Sequence, residues 1–365
     1  MIKPLYLTKY ATATATASEM VSSSAFPQRI HYCPDTYRGW QSGLRYPPHQ
    51  MADKVVTPEL IEYVRGEHKK TAFIMCAGTS NFAGLRNTHS AWNPIDYRFF
   101  PLTLTQVYAG KTASRFGKID SVTTDSSACA SSLKVLMDAQ MMATLYGFER
   151  FIILAVEDQV NETVQKFFGE LQATISKDQE EAGLLPSAFD AVNYGFNIAQ
   201  GSVCAVLETE PKDGPVMLGA YAGAEDFDNA VGQREDGEGF FRAAVEALRV
   251  AGLSTIDINI VKTHGTGTKS NNLAEKNAIT QLLGDSGYVA TSFKPTLGHT
   301  FGASGLLETC LLIDSMKKHG CVPAIANRTE DDPVFLSSPA AVSGGNVLSF
   351  AAGMGNIYAA SVWRI

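Results

Sequence analysis

Three short stretches hold side chains that could do covalent chemistry. They are Asp125-Ser126-Ser127-Ala128-Cys129-Ala130-Ser131-Ser132, His264-Gly265-Thr266-Gly267-Thr268 and Lys294-Pro295-Thr296-Leu297-Gly298-His299. In chain order they supply a thiol at the mouth of a helix and then two histidines, each on a Gly-containing loop behind an apolar strand. A thiol so placed can take up an acyl group, and a pair of imidazoles can donate hydrogen bonds to an oxygen that becomes anionic. The exposed N–H groups and macrodipole of a helix start favour a thiolate, so a lowered thiol pKa is expected at Cys129. Small neighbours, Ser127, Ala128, Ala130 and Ser131, permit a tight turn and leave room for an acyl group.

His264 opens a Gly-Thr-Gly-Thr loop in which the backbone can approach a ligand and the hydroxyls of Thr266 and Thr268 can bind amide groups of an elongated substrate. His299 precedes the Gly302–Gly305 turn that starts a helix. Lys294 stands at the end of an apolar strand, where a lysine needs a reason. Each has a plain alternative when taken singly: an inert buried cysteine, a turn-capping histidine, a strand-end lysine turned to water. The ordered set narrows the chemistry.

The elements that must position these groups alternate along the chain. Apolar runs of strand length occur at Thr71–Ala77, Phe151–Val156, Ser202–Leu207, Asn259–Thr263, Tyr288–Phe293, Asn346–Phe350 and Asn356–Trp363. Most are continuous rather than alternating, as expected for strands covered on both faces. Helix-length segments Ala130–Tyr146, Gly239–Ala251 and Ala303–His319 each end at a glycine, a C-terminal stop signal. The alternation predicts α/β architecture with parallel sheets. The first helix is apolar almost all round, which places it between layers. The charged stretch Pro211–Gly214 divides the chain into halves, 1–212 with the cysteine and 213–365 with the histidines. Asp226–Glu238 is polar and reads as a surface loop.

With 365 residues, 45% of them hydrophobic, the chain can bury a large core. A net charge of −7 argues against a surface built for nucleic acid. No apolar run approaches the roughly 18 residues that cross a bilayer, and the N-terminus lacks the pattern of a signal peptide. A cytoplasmic location without membrane attachment is expected. The six cysteines, Cys33, Cys76, Cys129, Cys204, Cys310 and Cys321, include no C-x-x-C pair, which fits neither a disulfide framework nor a zinc site.

Seen together, these residues resemble the β-ketoacyl synthase family, the condensing enzymes of fatty acid and polyketide synthesis in the thiolase superfamily. Asp125–Cys129 is similar to the family's nucleophile segment. Phe189-Asp190, Gly195-Phe196, Gly201 and Val203–Glu208 are similar to its "FD…GF…G…VLE" stretch. His264–Thr268 with Glu275 resembles the HGTGT…E motif. Lys294–His299, Gly302–Gly305 and Glu308 resemble K…GH..GA.G…E, and Ser349-Phe350, Gly353 and Asn356 the C-terminal glycine loop. Two histidines, rather than histidine and asparagine, resemble the elongating branch.

The resemblance implies a thiolase fold, two similar α/β halves stacked as five layers, αβαβα. It implies that Cys129 takes an acyl chain from the phosphopantetheine arm of an acyl carrier protein. A malonyl-carrier thioester then loses carbon dioxide, and its enolate attacks the acyl-cysteine. His264 and His299 would donate to the enolate, and Lys294 would add positive potential and orient His299. Thr266 and Thr268 would hold the pantetheine arm, with Glu275 and Glu308 as support. Backbone N–H groups of Cys129 and Ala352 would form the oxyanion hole. No metal or redox cofactor is implied.

Three departures stand out. Ala351-Ala352-Gly353-Met354-Gly355-Asn356 replaces the usual G-F-G-G-T-N, so Ala352 stands where relatives carry a gating phenylalanine. An open pocket beside Cys129 is therefore expected unless Phe350 or Met354 turns in to fill it. Lys269-Ser270-Asn271-Asn272 follows the HGTGT loop in place of a proline and a Gly-Asp pair, and the chain is somewhat shorter than typical relatives. The resemblance also implies a dimer, with an identical chain or a related ketosynthase-like partner. Since carrier proteins are acidic, a basic docking patch is expected, Arg98, Lys111, Arg115 and Lys118 forming the nearest cluster in sequence. Two other readings are a non-catalytic partner subunit that shapes chain length, and an acyltransferase that works without decarboxylation.

Overall fold

The computed structural model describes residues 2–14, 48–78, 104–157, 162–284 and 286–365. Its first half runs β1 Leu5–Thr14, α1 Pro48–Val55, α2 Pro58–Arg65, β2 Thr71–Cys76, α3 Thr105–Ala113, β3 Ser121–Asp125, α4 Ser131–Tyr146, β4 Arg150–Glu157, α5 Glu162–Glu170, α6 Lys177–Glu181 and β5 Gly201–Glu208. The remainder is β6 Val216–Ala224, α7 Glu238–Ala251, β7 Ile258–Lys262, α8 Lys269–Leu283, β8 Val289–Thr291, α9 Lys294–Leu297, α10 Ser304–His319, β9 Cys321–Val322, β10 Ala340–Ala341, β11 Asn346–Gly353 and β12 Ile357–Arg364. Cys33 and Arg98 lie outside the described residues.

Ten strands form one hydrogen-bonded array in the order β3-β2-β4-β5-β1-β6-β12-β11-β7-β8. Read outward from the β1–β6 seam, each side follows one plan. A first strand pairs antiparallel with a fifth and the fifth antiparallel with a fourth; the fourth runs parallel to a second, and the second to a third. Leu5↔Met217 and Tyr6↔Val216 pair the two sides at the seam. The mixed pairing corrects the expectation of parallel sheets. β5 is antiparallel to both neighbours yet buried along its whole length, because helices cover both faces. Continuous apolarity reports that covering, not strand direction.

Layering follows from what each face buries. The main core gathers the inner faces of both sheets around α4 and α10, with Leu133, Leu136, Leu306, Leu307 and Cys310 fully buried. A second cluster sets α7 and α8 against the outer face of β7, β11 and β12, and a third sets α1, α2 and α3 against the outer face of β2, β4 and β5. The result is five layers, αβαβα. α4 and α10 end at Gly147 and Gly320, both left-handed, with φ 66° and 64°. No helix among the described residues is long and apolar enough to cross a membrane.

A buried ion pair ties the first sheet to α2. Arg150 Nε donates to Glu208 Oε1 at 2.6 Å, Arg150 Nη1 donates to the Val64 and Glu67 carbonyls, and Tyr63 donates to Glu208 Oε2 at 2.8 Å. Burial alone would raise the Glu208 carboxyl, but hydrogen bonds from Tyr63 and Arg150 and the nearby charges hold it below the usual carboxylate range. Glu208→Ala leaves the buried guanidinium only the exposed Glu67 carboxylate, at 3.6 Å, in place of its 2.6 Å partner, and should destabilise the protein by about 3–5 kcal/mol. Urea unfolding midpoints of parent and variant test this. A change under about 1 kcal/mol, the range of exposed pairs, would show that water reaches Arg150.

Candidate active site

Cys129 lies in a single 3₁₀ turn, Ala128–Ala130, between β3 and α4. Asp125 at the end of β3 accepts the Ser127 amide and hydroxyl and pairs with Lys134 at 2.8 Å. The Ser131 hydroxyl accepts the Ser127 N–H and donates to the Ala128 carbonyl, closing the turn. Ala128 is held at φ 47°, a strained value for a residue with a Cβ. The corresponding turn on the other side of the sheet precedes α10, with Phe301 at φ 43°.

His299 reaches the same place from that second turn. Its backbone is pinned to the other half by His299 N–H donating to the Asn197 carbonyl at 2.5 Å and by Ala199 N–H donating to the His299 carbonyl. The Phe301 amide donates to His299 Nδ1 at 3.2 Å, so in the neutral ring the proton resides on Nε2. The Phe301 ring stacks on the imidazole and Phe196 meets it edge-on. His264 lies edge to face with His299, ring centroids 5.7 Å apart, and its Nδ1 has no hydrogen-bond partner among the described residues. Both imidazoles are buried. Burial first, then the charge of Lys294, holds each well below the usual histidine range; Lys262 acts the same way on both, and His299 on His264.

Lys294, fully buried, donates to the His264 carbonyl at 2.5 Å and to Glu308 Oε1 at 2.9 Å. Glu308 Oε2 accepts at 3.0 Å from a second fully buried lysine, Lys262, which also donates to the Phe350 carbonyl at 2.9 Å. Lys262 escaped the sequence reading, although a lysine inside an apolar strand is the same signal that singled out Lys294. Glu275 accepts the amides of His264 at 2.5 Å and Gly265 at 2.9 Å and so fixes the loop.

Thr266 donates to Asn271 Oδ1 at 2.9 Å and meets Thr268 at 3.2 Å, while Thr268 caps α8 by accepting the Asn271 N–H. Both hydroxyl protons are then engaged within the loop, and each oxygen keeps one acceptor lone pair. A ligand N–H can bind there, but a ligand carbonyl finds no donor from these hydroxyls.

Around the thiol, Cys129 packs with Phe168, Ala173, Phe196, Ile198 and Phe301, and Met354 leans on this cluster. Phe168 contacts Phe196 edge-on and Phe301 at a tilt, with centroids 5.6 and 5.5 Å apart. Phe350 and Ala352 are not there. Strand alternation puts Leu348, Phe350 and Ala352 on the outer face of β11, in the cluster with Phe240 and Tyr358. Phe350 therefore does not line the thiol pocket, and the methyl of Ala352 is no gate; Met354, beyond the strand end, is the loop residue that packs beside Cys129. The backbone of β11 does come close: a Cβ on Gly353 would lie 2.7 Å from the Ser127 carbonyl oxygen. Glu157, buried at the end of β4, accepts the amides of Gly78, just past β2, and of Gly302 in the histidine turn, and so joins β2 to that turn. It too was missed, though a carboxylate closing an apolar run is a visible signal. Phe168 and Ile198 carry none.

The thiol itself departs from expectation. Burial pushes Cys129 up to about 12, the charge of Lys294 and the local backbone N–H lower it, and Glu157 and Glu308 raise it. The helix start does not outweigh desolvation, so the thiol rests neutral. Iodoacetamide labelling of Cys129, followed by peptide mapping, should therefore climb about tenfold per pH unit from pH 7 to 10 with no plateau. A plateau near neutrality would mean that the helix terminus prevails. Half-buried Cys321 should label readily, whereas Cys76, Cys204 and Cys310 are fully buried.

Residues 216–329 match the family described as β-ketoacyl synthase, C-terminal domain. The chain is 28% identical over 218 residues to the 3-oxoacyl-[acyl-carrier-protein] synthase 2 of Mycobacterium bovis, covering 58% of this chain and 52% of that one. It spans between 52% and 65% of the length of the first curated relatives it matches. Among solved structures it resembles a type II polyketide synthase acyl-carrier protein in complex with its ketosynthase bound to the hexaketide, with TM-score 0.77, 17% identity and 100% and 99% of the two chains covered. It also resembles a chain of the complex between a ketosynthase and its chain length factor from Xenorhabdus doucetiae, with TM-score 0.72, 19% identity and 100% and 98% covered. The strand plan, the matched domain and these likenesses agree: residues 216–329 form a β-ketoacyl synthase C-terminal domain, and the chain has the thiolase-like fold of the ketosynthase structures it resembles.

Proposed function

We propose that this chain is a β-ketoacyl-[acyl carrier protein] synthase that condenses an acyl group held on Cys129 with a malonyl group, with loss of carbon dioxide. The observation that carries this reading is the burial of one thiol turn against one histidine turn, with the two imidazoles edge to face and Lys294 beneath them. The acyl group arrives as a thioester on the phosphopantetheine arm of an acyl carrier protein. Cys129 Sγ bonds to its carbonyl carbon, the arm leaves as a thiol carrying the cysteine's proton, and the backbone amides of Cys129 and Ala352 receive the oxyanion. A malonyl-carrier thioester next releases carbon dioxide, and the electron pair moves into an enolate whose oxygen accepts from His299 Nε2–H and from His264. The enolate carbon attacks the acyl carbonyl and expels the thiolate, which takes a proton from water. Neutral imidazoles suit the donor role, since each has an N–H to give.

Thr266 and Thr268 would accept N–H groups of the pantetheine arm, and Glu275 and Glu308 would hold the loops. The proposed division of the chain is 1–212 and 213–365, in a cytoplasmic protein that binds neither membrane nor nucleic acid. The ketosynthase–chain length factor pair among its structural likenesses supports a dimer, with an identical or a related chain. Lys111 and Arg115 remain candidates for carrier docking, although Arg115 already pairs with Asp53 at 2.5 Å.

Intact-mass measurement after incubation with acyl-carrier thioesters should show one acyl adduct, absent in Cys129→Ala. His264→Ala and His299→Ala should each slow release of carbon dioxide from malonyl-carrier protein on the order of a hundredfold or more, with a smaller effect on acylation. Parent rates in both histidine variants would sink the condensing mechanism. Acylation without any release of carbon dioxide would instead favour transfer to another acceptor.

Met354 and Phe168 shape the acyl entrance in this reading. A methionine side chain has three rotatable bonds and can swing aside while the hairpin tip stays fixed, because Gly355 and Asn356 are tied to Ala230 and Phe227. Met354→Ala should raise the ratio of acylation rates for a bulky over a short donor several-fold. Ala352→Phe, on the outer face of β11, should disturb folding rather than that ratio. An unchanged ratio in Met354→Ala would remove Met354 from the acyl path.

A further inference from the structure

Beneath the histidine pair lie three buried ionisable side chains from three elements: Lys262 at the end of β7, Lys294 on α9 and Glu308 on α10. One carboxylate serves two ammonium groups, Oε1 for Lys294 and Oε2 for Lys262, and none of the three side chains is more than 1% exposed. A lysine–glutamate pair would be electrically balanced. The second lysine leaves the group with a surplus positive charge, next to two imidazoles, where such charge is least welcome.

We propose that Lys262 is a positioning residue that divides Glu308 with Lys294, so that Lys294 keeps positive charge toward His264 and His299 and holds both imidazoles in their neutral, hydrogen-bond-donating form. The inference rests on the proposed condensing reaction for its purpose, but not for its electrostatics. Lys262 lies two residues before His264 and also donates to the Phe350 carbonyl, so among the described residues Glu308 is the carboxylate that its ammonium pairs with. Were it uncharged, Glu308 would be free to neutralise Lys294 fully, and Lys294 is the cation that touches the His264 carbonyl.

The other groups facing the pair leave this assignment standing. Glu275 on α8 has its oxygens on the His264 and Gly265 amides, and burial raises its carboxyl, which favours the uncharged form. Glu157 on β4 accepts amides of Gly78 and Gly302 and acts on Cys129 rather than on the imidazoles. Cys129 rests as a neutral thiol. Burial, then Lys294, then Lys262 depress His299, and the same two lysines together with His299 act on His264. Burial lowers Lys262 as well, but acidification charges an amine, so its influence is greatest on the acid side.

The test compares parent, Lys262→Met and Lys262→Arg, with Lys262→Gln as a second neutral variant should the methionine form fail to fold. Imidazole titrations are followed by NMR on protein carrying labelled histidine, with His264 and His299 assigned from His264→Asn and His299→Asn spectra. In the neutral variants both imidazoles should titrate about one pH unit higher, as expected when a nearby charge is removed, and the acid limb of carbon dioxide release should move with them. Arginine, which keeps its charge, should restore both toward the parent. A purely structural Lys262 would lower stability in every variant and leave the titrations unmoved, and that result would overturn the proposal. Failure of the parent to release carbon dioxide would sink the proposed reaction instead, which the NMR readout tells apart.

Discussion

Two lysines and a glutamate buried together are the constraint on which the rest of this structure depends. Each ion taken from water costs several kcal/mol unless partners replace the water. Here Lys262, Lys294 and Glu308 come from β7, α9 and α10, and the carbonyls of Phe350 on β11 and of His264 supply the remaining acceptors. Those partners exist only when the C-terminal sheet, its short helix and the central helix are all assembled. α10, which carries Glu308, has almost its entire length buried. The charged group beneath the histidines is therefore also a demand for the complete fold.

The repeated strand plan solves a second geometric problem. A thiol and an imidazole must come together from residues 170 positions apart in sequence. Each side of the sheet sends its third strand into a turn and then into a central helix, so the two turns meet between α4 and α10. Both turns hold a non-glycine residue at positive φ, Ala128 at 47° and Phe301 at 43°. Such positions cost on the order of 1–3 kcal/mol each and persist where surroundings over-determine them. The surroundings are tight: a Cβ on Gly78 would come within 2.8 Å of the Ala128 carbonyl oxygen and of the Gly302 nitrogen. Glycine at 78 is thus what lets β2 approach both turns at once, with Glu157 binding the amides on either side.

Chemistry-bearing residues were the most legible part of the sequence, because polar groups inside apolar runs have few structural excuses. Cys129, His264, Lys294, His299, Glu275 and Glu308 are all buried and gathered in one region, though their catalytic roles rest on the proposed reaction. The strands at 71–76, 150–157, 201–208 and 346–353 were equally visible as apolar runs. Strand direction was not, since burial on both faces erases the alternation that would betray it. β1 and β3 were missed for a related reason: Leu5–Thr14 is rich in Thr and Ala, and Ser121–Asp125 is a partly exposed edge with little apolar character. Side-chain direction along β11 depended on a register that no motif encodes. That is why the sequence offered Phe350, Ala352 and Met354 alike for the acyl path, although only Met354 of the three packs against the Cys129 cluster.

Burial acts on the two kinds of titratable group in opposite directions and leaves both neutral. It raises the thiol, whose charged form is an anion, and lowers the imidazoles, whose charged form is a cation. The pocket thus holds its fixed charge on the lysines and carboxylate beneath it. In the proposed reaction the negative charge enters with the malonyl carboxylate, passes to the enolate oxygen as carbon dioxide leaves, and ends on the cysteine sulfur. A pocket that is neutral at its surface and positive underneath accommodates each of those stages without moving a protein proton until the thiolate is released. The high thiol pKa then has a use at the end of the cycle: the expelled sulfur is basic enough to recapture a proton, which returns the site to its starting state.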